Sequence, residues 1–132
     1  MVWSIKTPSE VNGIDFLADT NIILYILEGH PGIEGLLHYS FAVSVISEME
    51  LLGKFQITKA EESIIKSLLA DCHLVDLSEQ IRTRAIHLRQ NQKIKLPDAL
   101  IASTAIELGI PLATADKRLE RISGLNCLII DF

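Results

Sequence analysis

Apolar residues follow two alternating patterns along this chain, and each pattern predicts a different element. Short apolar runs, often β-branched, have the length of buried strands and lie at residues 16–18, 41–45, 74–77, 110–114 and 127–130. Between the runs, apolar positions recur every three or four residues, as expected for a helix with one buried face. Strands that alternate with helices predict an α/β fold with a central, mostly parallel five-stranded sheet and helices on both faces.

Capping residues predict where several helices begin and end. The stretches 47–50 and 58–61 both have the capping-box pattern of a hydroxyl residue followed three positions later by Glu. Ser78 precedes a helix expected at 79–90, and Gly109 follows one that starts at Leu96. Further helices are expected at 21–28, 33–39 and 117–121. In this interpretation Glu50 bonds back to the amide of Ser47, which gives its carboxylate a purely structural use.

Four acidic residues stand where predicted strands end or helices begin, namely Asp19, Glu50, Asp98 and Asp116. In a parallel sheet the carboxyl ends of the strands share one edge, where ligand-binding crevices form. Each acid could instead cap a helix or complement a helix dipole, and both interpretations stay open for each residue. Capping alone accepts Ser, Thr or Asn equally well, whereas a shared acidic site requires all four acids.

A cluster of carboxylates favours one kind of chemistry. Carboxylates that lie close together repel one another unless a proton or a cation intervenes, and oxygen ligands without His or Cys select Mg²⁺ or Mn²⁺. Such a cation lowers the pKa of a bound water and stabilises negative charge on an attacked phosphate. The leading hypothesis from the residues is therefore metal-dependent hydrolysis of a phosphodiester bond.

Length and composition narrow the class of protein. The chain has 132 residues, 48% of them hydrophobic and 5% aromatic, which suits one compact domain. Its 2 cysteines and 4 histidines match no zinc or redox spacing. No stretch is a plausible membrane span and no secretory signal is visible, so we expect a cytoplasmic protein. We divide the chain into an N-terminal leader of unknown role, residues 1–13, and a domain, residues 14–132.

The negative net charge is unevenly distributed. The chain has a formal charge of −5, but residues 1–65 hold 3 Lys or Arg against 9 Asp or Glu, whereas residues 66–132 hold 9 against 8. Basic clusters in the second half could contact phosphates, and a cation held by the acids would offset their charge. The candidate nucleic-acid contacts are Lys93, Lys95, Lys117 and Arg118, although a solvated helix face is the commoner explanation for such residues.

Four short motifs, in this order, resemble those of a known family. They read L-A-D-T-N at 17–21, S-V-I-S-E-M-E-L-L-G at 44–53, L-P-D-A-L-I-A at 96–102 and L-A-T-A-D at 112–116. Together they resemble the PIN domain, and within it the VapC-like toxin ribonucleases of VapBC toxin–antitoxin systems. The resemblance runs from about residue 16 to residue 132 and implies a three-layer PIN-like nuclease fold.

The resemblance implies an endoribonuclease that depends on Mg²⁺ or Mn²⁺. The residues that match the family's acidic metal site are Asp19, Glu50, Asp98 and Asp116. By analogy the first three hold metal directly, and the fourth either binds a second ion or orients water. Asn21 and Thr114 match supporting residues, and Glu48 is a rival for the role given to Glu50. Family toxins typically form homodimers and are inhibited by a small antitoxin, so RNA, an antitoxin and a second copy are the expected partners.

Other functions remain to be weighed against the toxin nuclease. A housekeeping RNA-processing nuclease of the same fold is one alternative, and a catalytically inert α/β interaction module, whose acids merely cap helices, is another. An aspartyl-phosphate phosphatase is disfavoured because position 21, two residues after Asp19, is Asn rather than a second acid. The chain also has no G-x-x-x-x-G-K-[ST] stretch, which excludes a P-loop nucleotide-binding protein.

Overall fold

A single parallel sheet forms the centre of the molecule. The computed structural model describes residues 2–3 and 13–131. Its strands are β1 (Val2–Trp3), β2 (Phe16–Ala18), β3 (Phe41–Ser44), β4 (His73–Val75), β5 (Leu112–Thr114) and β6 (Cys127–Ile129). They lie in the order β1-β4-β3-β2-β5-β6, and every neighbouring pair is parallel. The five predicted strands are confirmed, and β1 adds a two-residue strand at one edge.

Helices cover both faces of this sheet, as predicted. The α-helices are α1 (Thr20–Leu27), α2 (Val45–Leu52), α3 (Lys59–Ala70), α4 (Glu79–Asn91) and α5 (Leu96–Leu108), and 3-10 helices span Pro31–His38 and Lys117–Arg121. Successive residues of β2 point to opposite faces. Leu17 belongs to a core with Leu88 of α4 and Ile101 of α5, whereas Phe16 belongs to a second core with residues of α1 and α3. The three-layer α/β architecture is therefore confirmed.

The start of α2 differs from the prediction. Ser44 ends β3 in an extended conformation (φ −72°, ψ 147°), and its hydroxyl accepts a hydrogen bond from the amide of Ile46, so Ser44 caps the helix. The predicted capping box of Ser47 and Glu50 is wrong because the helix has already begun three residues earlier. Ser47 is instead fully buried inside α2. This shift releases the Glu50 carboxylate from the helix terminus.

The other predicted helix ends agree with the structure. Thr58 and Glu61 form a reciprocal capping box, and Ser78 caps α4. Gly109 ends α5 with a left-handed backbone (φ 69°), a conformation that favours glycine. The segment expected as a second helix at 33–39 is the 3-10 helix Pro31–His38. The strand expected at 74–77 ends earlier, at Val75.

Part of the chain lies outside this description. Residues 1, 4–12 and 132 are not described, so most of the predicted leader falls outside the described residues. The described piece of it, β1, pairs with β4. The division into a leader and a domain stays a prediction. Within the described residues, every helix is too short or too polar to cross a membrane.

The strand order determines where the site forms. The central strand β2 pairs with β3 on one side and with β5 on the other. The residues that follow the carboxyl ends of these three strands are therefore neighbours in space. They include Asp19 after β2, the helix α2 after β3, and Asp116 two residues after the end of β5.

Candidate active site

Asp19 is the buried centre of this sheet edge, with only 7% of its surface exposed. One carboxylate oxygen, Oδ1, accepts a hydrogen bond of 2.8 Å from the amide of Thr20 and so caps α1. The other oxygen, Oδ2, accepts a hydrogen bond of 2.7 Å from the hydroxyl of Thr114. The capping interpretation of Asp19 is therefore confirmed, and the same side chain also binds Thr114 across the sheet edge, whereas its role in a site stays a prediction.

Thr114 connects the first acid with the last. Its side chain is fully buried at the end of β5. While its hydroxyl donates to Asp19, the same Oγ1 accepts a hydrogen bond of 3.0 Å from the amide of Asp116. Nearby, the amide of Ala115 donates to Oδ1 of Asn21 over 3.4 Å. Both predicted supporting residues thus bind the chain where it leaves β5, which holds the Asp116 loop against α1.

Glu50 reaches the same edge from α2. Its Oε1 accepts a hydrogen bond of 2.6 Å from the hydroxyl of Thr20, and that hydroxyl lies 2.7 Å from Oγ of the buried Ser47. Thr20 and Ser47 were not among the predicted site residues. The signal for Thr20 was its place between Asp19 and Asn21 in the L-A-D-T-N motif, whereas Ser47 was assigned to a helix cap that does not form.

The four acids share one electrostatic environment. Burial raises the pKa of Asp19, hydrogen bonds from Thr114 and Thr20 oppose that rise, and the negative charges of Asp98 and Glu50 add to it. The pKa of Asp98 is also raised, first by burial and then by the charge of Asp116, with Glu50 contributing in the same direction.

The choice between Glu50 and its rival Glu48 stays a prediction. The charge of Glu50 raises the pKa of both Asp19 and Asp98. The two glutamates lie two positions apart on α2 and point to different sides of the helix.

Asp116 is engaged by a cation of its own chain. Nε and a terminal guanidinium nitrogen of Arg118 donate to its two carboxylate oxygens at 2.9 and 2.8 Å. The amide of Arg118 also donates to Asp116, which caps the second 3-10 helix. These hydrogen bonds from Arg118 lower the pKa of Asp116. The pKa of Asp116 and the pKa of the buried Asp19 are therefore shifted in opposite directions.

The donor set fits a hard divalent cation. All four carboxylates supply oxygen, and their mutual repulsion is the condition that a cation relieves. Within the described residues no three acidic, His or Cys side chains are yet gathered closely enough to hold an ion. Two of the acids are already held by other side chains, Glu50 by the hydroxyl of Thr20 and Asp116 by the guanidinium of Arg118.

The comparison with known protein families decides the identity of the domain. The family model described as the PIN domain matches residues 16–125, which span all four motifs. The chain belongs to the PIN domain family. Among curated proteins, none is significantly similar to this PIN domain in sequence.

Solved structures extend the family assignment. A toxin–antitoxin complex from Klebsiella pneumoniae contains a chain 30% identical to this PIN domain, with a TM-score of 0.73 over 84% of this chain and 95% of that one. VapBC2 from Rickettsia felis bound to a promoter DNA fragment is 26% identical, with a TM-score of 0.78 over 89% of this chain and 100% of that one. DNA-bound VapBC from Salmonella typhimurium, at 19% identity and a TM-score of 0.79 over 89% of this chain and 99% of that one, shows the shared fold.

Two surfaces of different character flank the acids of this PIN domain. The first, which we call the apolar groove, runs beside Glu50 between α1, α2 and α3 and is lined by Leu24, Leu27, Leu51, Ile64 and Ile65. The second, which we call the basic cleft, begins at Asp98 and Asp116 and is lined by Arg89, Lys93, Lys95, Arg118 and Arg121. Three of the predicted nucleic-acid contacts lie in this cleft, whereas Lys117 is not part of its lining.

Proposed function

We propose that this PIN domain is a divalent-metal-dependent endoribonuclease that hydrolyses RNA phosphodiester bonds, and that it is the toxin of a type II toxin–antitoxin pair. The observation that carries the proposal is the convergence of Asp19, Glu50, Asp98 and Asp116 at one sheet edge of a domain whose family supports nuclease activity. We propose the cytoplasm as its place of action.

The acids divide the work at the metal centre. Asp19, Glu50 and Asp98 would hold Mg²⁺ or Mn²⁺ directly, and Asp116 would hold a second ion or orient the attacking water. The bound cation would supply a water of lowered pKa and offset charge on the phosphate. Thr114 positions Asp19 through its 2.7 Å hydrogen bond, and Thr20 positions Glu50 through its 2.6 Å hydrogen bond. Such supporting hydrogen bonds fix the direction in which each carboxylate points.

The test uses purified protein and a labelled single-stranded RNA with Mg²⁺, with Mn²⁺ and with EDTA. We expect cleavage with either cation, none with EDTA, and none by Asp19→Asn, which keeps the helix cap but loses a carboxylate. Asp71→Asn, at the exposed end of α3, is the matched control and keeps full activity. Cleavage in EDTA, or undiminished cleavage by Asp19→Asn, would overturn the proposal. Complete inactivity of the unaltered protein would favour the inert interaction module.

An antitoxin partner is supported by the solved structures, which include toxin–antitoxin complexes. The apolar groove offers a surface for it, because Leu24 and Ile64 are 44% and 58% exposed there and the groove ends at Glu50. A partner in this groove would cover the approach to the acids. We propose that the partner is a small protein encoded immediately upstream.

Co-purification with the product of the adjacent reading frame tests this partner. Leu24→Gln is expected to weaken the complex, because it replaces an apolar contact with a polar group. Ile86→Gln, at a residue 60% exposed on α4 and outside the groove, is the control and should leave the complex intact. If no neighbouring gene product binds, the housekeeping nuclease becomes the better interpretation. The homodimer implied by the family resemblance is part of the same proposal, and light scattering checks it.

A further inference from the structure

The basic cleft concentrates positive charge next to the acids. Its cavity has a volume of about 380 Å³, and Asp98 and Asp116 form one end of it. The cations come from three segments of the chain, with Arg89 on α4, Lys93 and Lys95 on the α4–α5 loop, and Arg118 and Arg121 on the second 3-10 helix. The fold thus brings together cations that are distant in sequence.

The cations of the cleft act on the acids directly. Arg118 and Lys95 both counter the rise in the pKa of Asp98, whose largest cause is burial. Arg121 adds to the lowering of the pKa of Asp116, which the hydrogen bond from Arg118 dominates. The basic cleft and the acidic site are therefore contiguous, and a polyanion that reaches the acids also lies within range of these cations.

Arg118 lies where the basic cleft meets the acidic site. Its guanidinium binds Asp116 through two nitrogens, yet 72% of its side chain is exposed. The Asp116 side chain is only 20% exposed, so the loss of this two-point pair is small only when another anion takes the place of the carboxylate. A guanidinium also matches phosphate in the same two-point geometry as it matches a carboxylate. Arg118 can therefore leave Asp116 at small cost when a phosphate is offered.

We propose that the basic cleft binds the phosphate backbone of the RNA strand beside the acidic site, and that Arg118 exchanges Asp116 for an RNA phosphate as the strand enters. This inference rests on the proposed nuclease function and adds the side from which the strand is held. It adds Arg89 and Arg121, two members of the basic clusters in the second half of the chain, to the binding surface. The exchange frees the Asp116 carboxylate for its proposed role at the metal centre when the RNA strand is bound.

The composition of the cleft favours RNA over an acidic protein segment. A strand whose phosphate lies at the acids continues past them, so its next phosphates need cations beside the site. Ile94 is half-buried at the cleft and offers apolar contact to sugars and bases. By contrast, the apolar groove on the other side of the acids has the larger apolar surface that a protein segment requires.

One cleft residue also has a structural task and is left unchanged in the test. Nε of Arg89 donates a hydrogen bond of 3.2 Å to the carbonyl of Ile94, which holds the α4–α5 loop. Replacing Arg89 would therefore displace Lys93 and Lys95 as well as remove a charge. The informative substitutions are Lys93→Gln, Arg121→Gln and Arg118→Gln, whose side chains extend into the cleft from exposed positions.

RNA binding is measured by fluorescence anisotropy with labelled single-stranded RNA, in an Asp19→Asn background and at several salt concentrations. Lys93→Gln/Arg121→Gln should weaken binding roughly tenfold or more and reduce the salt slope by about one for each phosphate that is no longer bound. Lys59→Gln, at an exposed position on α3 and outside the cleft, is the matched control and should bind as the background protein does. Equally weakened binding by both variants would indicate diffuse attraction and overturn the cleft as a site.

The exchange of Arg118 is tested by a pair of binding measurements with opposite expected signs. Arg118→Gln should bind Mn²⁺ severalfold more tightly, measured by electron paramagnetic resonance without RNA, because Asp116 no longer has a competing cation. In the Asp19→Asn background it should bind RNA more weakly, because the guanidinium that would bind a phosphate is absent. A purely structural role would move both affinities in one direction, and that result, or no change in either, would overturn the exchange.

The two proposals can fail separately. If the unaltered protein cleaves RNA with Mn²⁺ but the cleft variants bind RNA normally, the cleft proposal fails and the nuclease function stands. If the unaltered protein cleaves nothing, the nuclease function fails. An acidic peptide that competes with RNA for the cleft, while the apolar groove variant Leu24→Gln leaves that competition unchanged, would assign the cleft to a protein partner instead.

Discussion

The two halves of the acidic site are held by opposite means. Asp19 and Glu50 accept hydrogen bonds from the neutral hydroxyls of Thr114 and Thr20, whereas Asp116 is clamped by the guanidinium of Arg118. A hydroxyl orients a carboxylate without neutralising it, so the first half keeps its negative charge for a cation. A guanidinium neutralises as well as orients, so the second half is already compensated.

The surfaces next to the two halves of the site also differ in character. The hydroxyl-held half borders the apolar groove, and the half that contains Asp98 and Asp116 borders the basic cleft. One edge of the sheet thus separates a surface suited to a protein from a surface suited to a polyanion. The acids lie between the two, where either neighbour can control access to them.

Asp98→Asn should give the largest of the following effects, because this acid is a proposed direct metal ligand and Arg118 and Lys95 oppose its charge without a hydrogen bond. No hydrogen bond to its carboxylate is present among the described residues, and the charges of Asp116 and Glu50 raise its pKa after burial has done so. Its removal should reduce cleavage by more than the roughly 100-fold that removal of a supporting residue can reach. Initial rates with Mg²⁺ check this, and Asp71→Asn again serves as the control.

Thr114→Val should have the second-largest effect on cleavage. Its buried hydroxyl contacts both Asp19 and the backbone of Asp116, and so serves both halves of the acidic site. The substitution keeps the side-chain shape but removes the donor to Asp19 and the acceptor for the amide of Asp116. We expect a loss of about 1–3 kcal/mol in the free energy of unfolding. Cleavage should fall by about 10- to 100-fold. Urea denaturation and initial rates measure the two effects, and unchanged stability would contradict the bridging role.

Thr20→Val should have a smaller effect than Thr114→Val, which sharpens the comparison within the hydroxyl-held half. Glu50 is exposed, so water can replace the missing hydroxyl. Stability should fall by no more than about 1.5 kcal/mol, and cleavage by about tenfold. Ser47→Ala, which removes the other hydrogen-bond partner of the Thr20 hydroxyl, is the companion variant. An effect of Thr20→Val as large as that of Thr114→Val would place Glu50, rather than Asp19, at the centre of the site.

The smallest expected effect concerns stability in EDTA. Asp19→Asn and Asp116→Asn should change the free energy of unfolding in opposite directions. Burial raises the pKa of Asp19, so its ionisation opposes folding, and stability is lost as the pH rises through the raised value. The hydrogen bond from Arg118 lowers the pKa of Asp116, so this acid stabilises the fold above its unfolded value of about 3.9. At pH 7.5 Asp19→Asn should therefore unfold at a higher urea concentration than the unaltered protein, and Asp116→Asn at a lower one.

The difference in stability between each of these two variants and the unaltered protein should become smaller as the pH falls. The advantage of Asp19→Asn disappears once the buried acid is protonated, and the deficit of Asp116→Asn disappears in the acidic range below its unfolded pKa. Parallel pH dependences for the two variants would show that the halves of the site are not held differently.

The sheet and its helices could be predicted because their signals are local. Apolar runs mark β2 and β5, and side-chain caps at Thr58 and Ser78 mark helix starts that the structure confirms. The exception is α2, for which the sequence predicted a cap at Ser47 and the structure has one at Ser44. The choice depends on where β3 stops, which its pairing with β2 and β4 determines.

For the candidate site, the sequence could predict which acids lie near one sheet edge, but not the contacts that hold them. The positions of Asp19, Asp98 and Asp116 follow from strand ends and a helix start, and the structure brings them to one edge. The contacts between Thr20 and Glu50 and between Arg118 and Asp116 could not be derived in the same way. They depend on side-chain rotamers and on the distance between α1 and α2, which no periodic pattern encodes.

The hydrogen bond between Thr114 and Asp19 also sets a length requirement on the proposed site. Its partners are 95 positions apart, so Asp19 is synthesised long before the hydroxyl that orients it. A nascent chain that stops before Thr114 therefore lacks this contact and also lacks Asp116. The proposed nuclease activity would require a polypeptide that extends at least to Asp116.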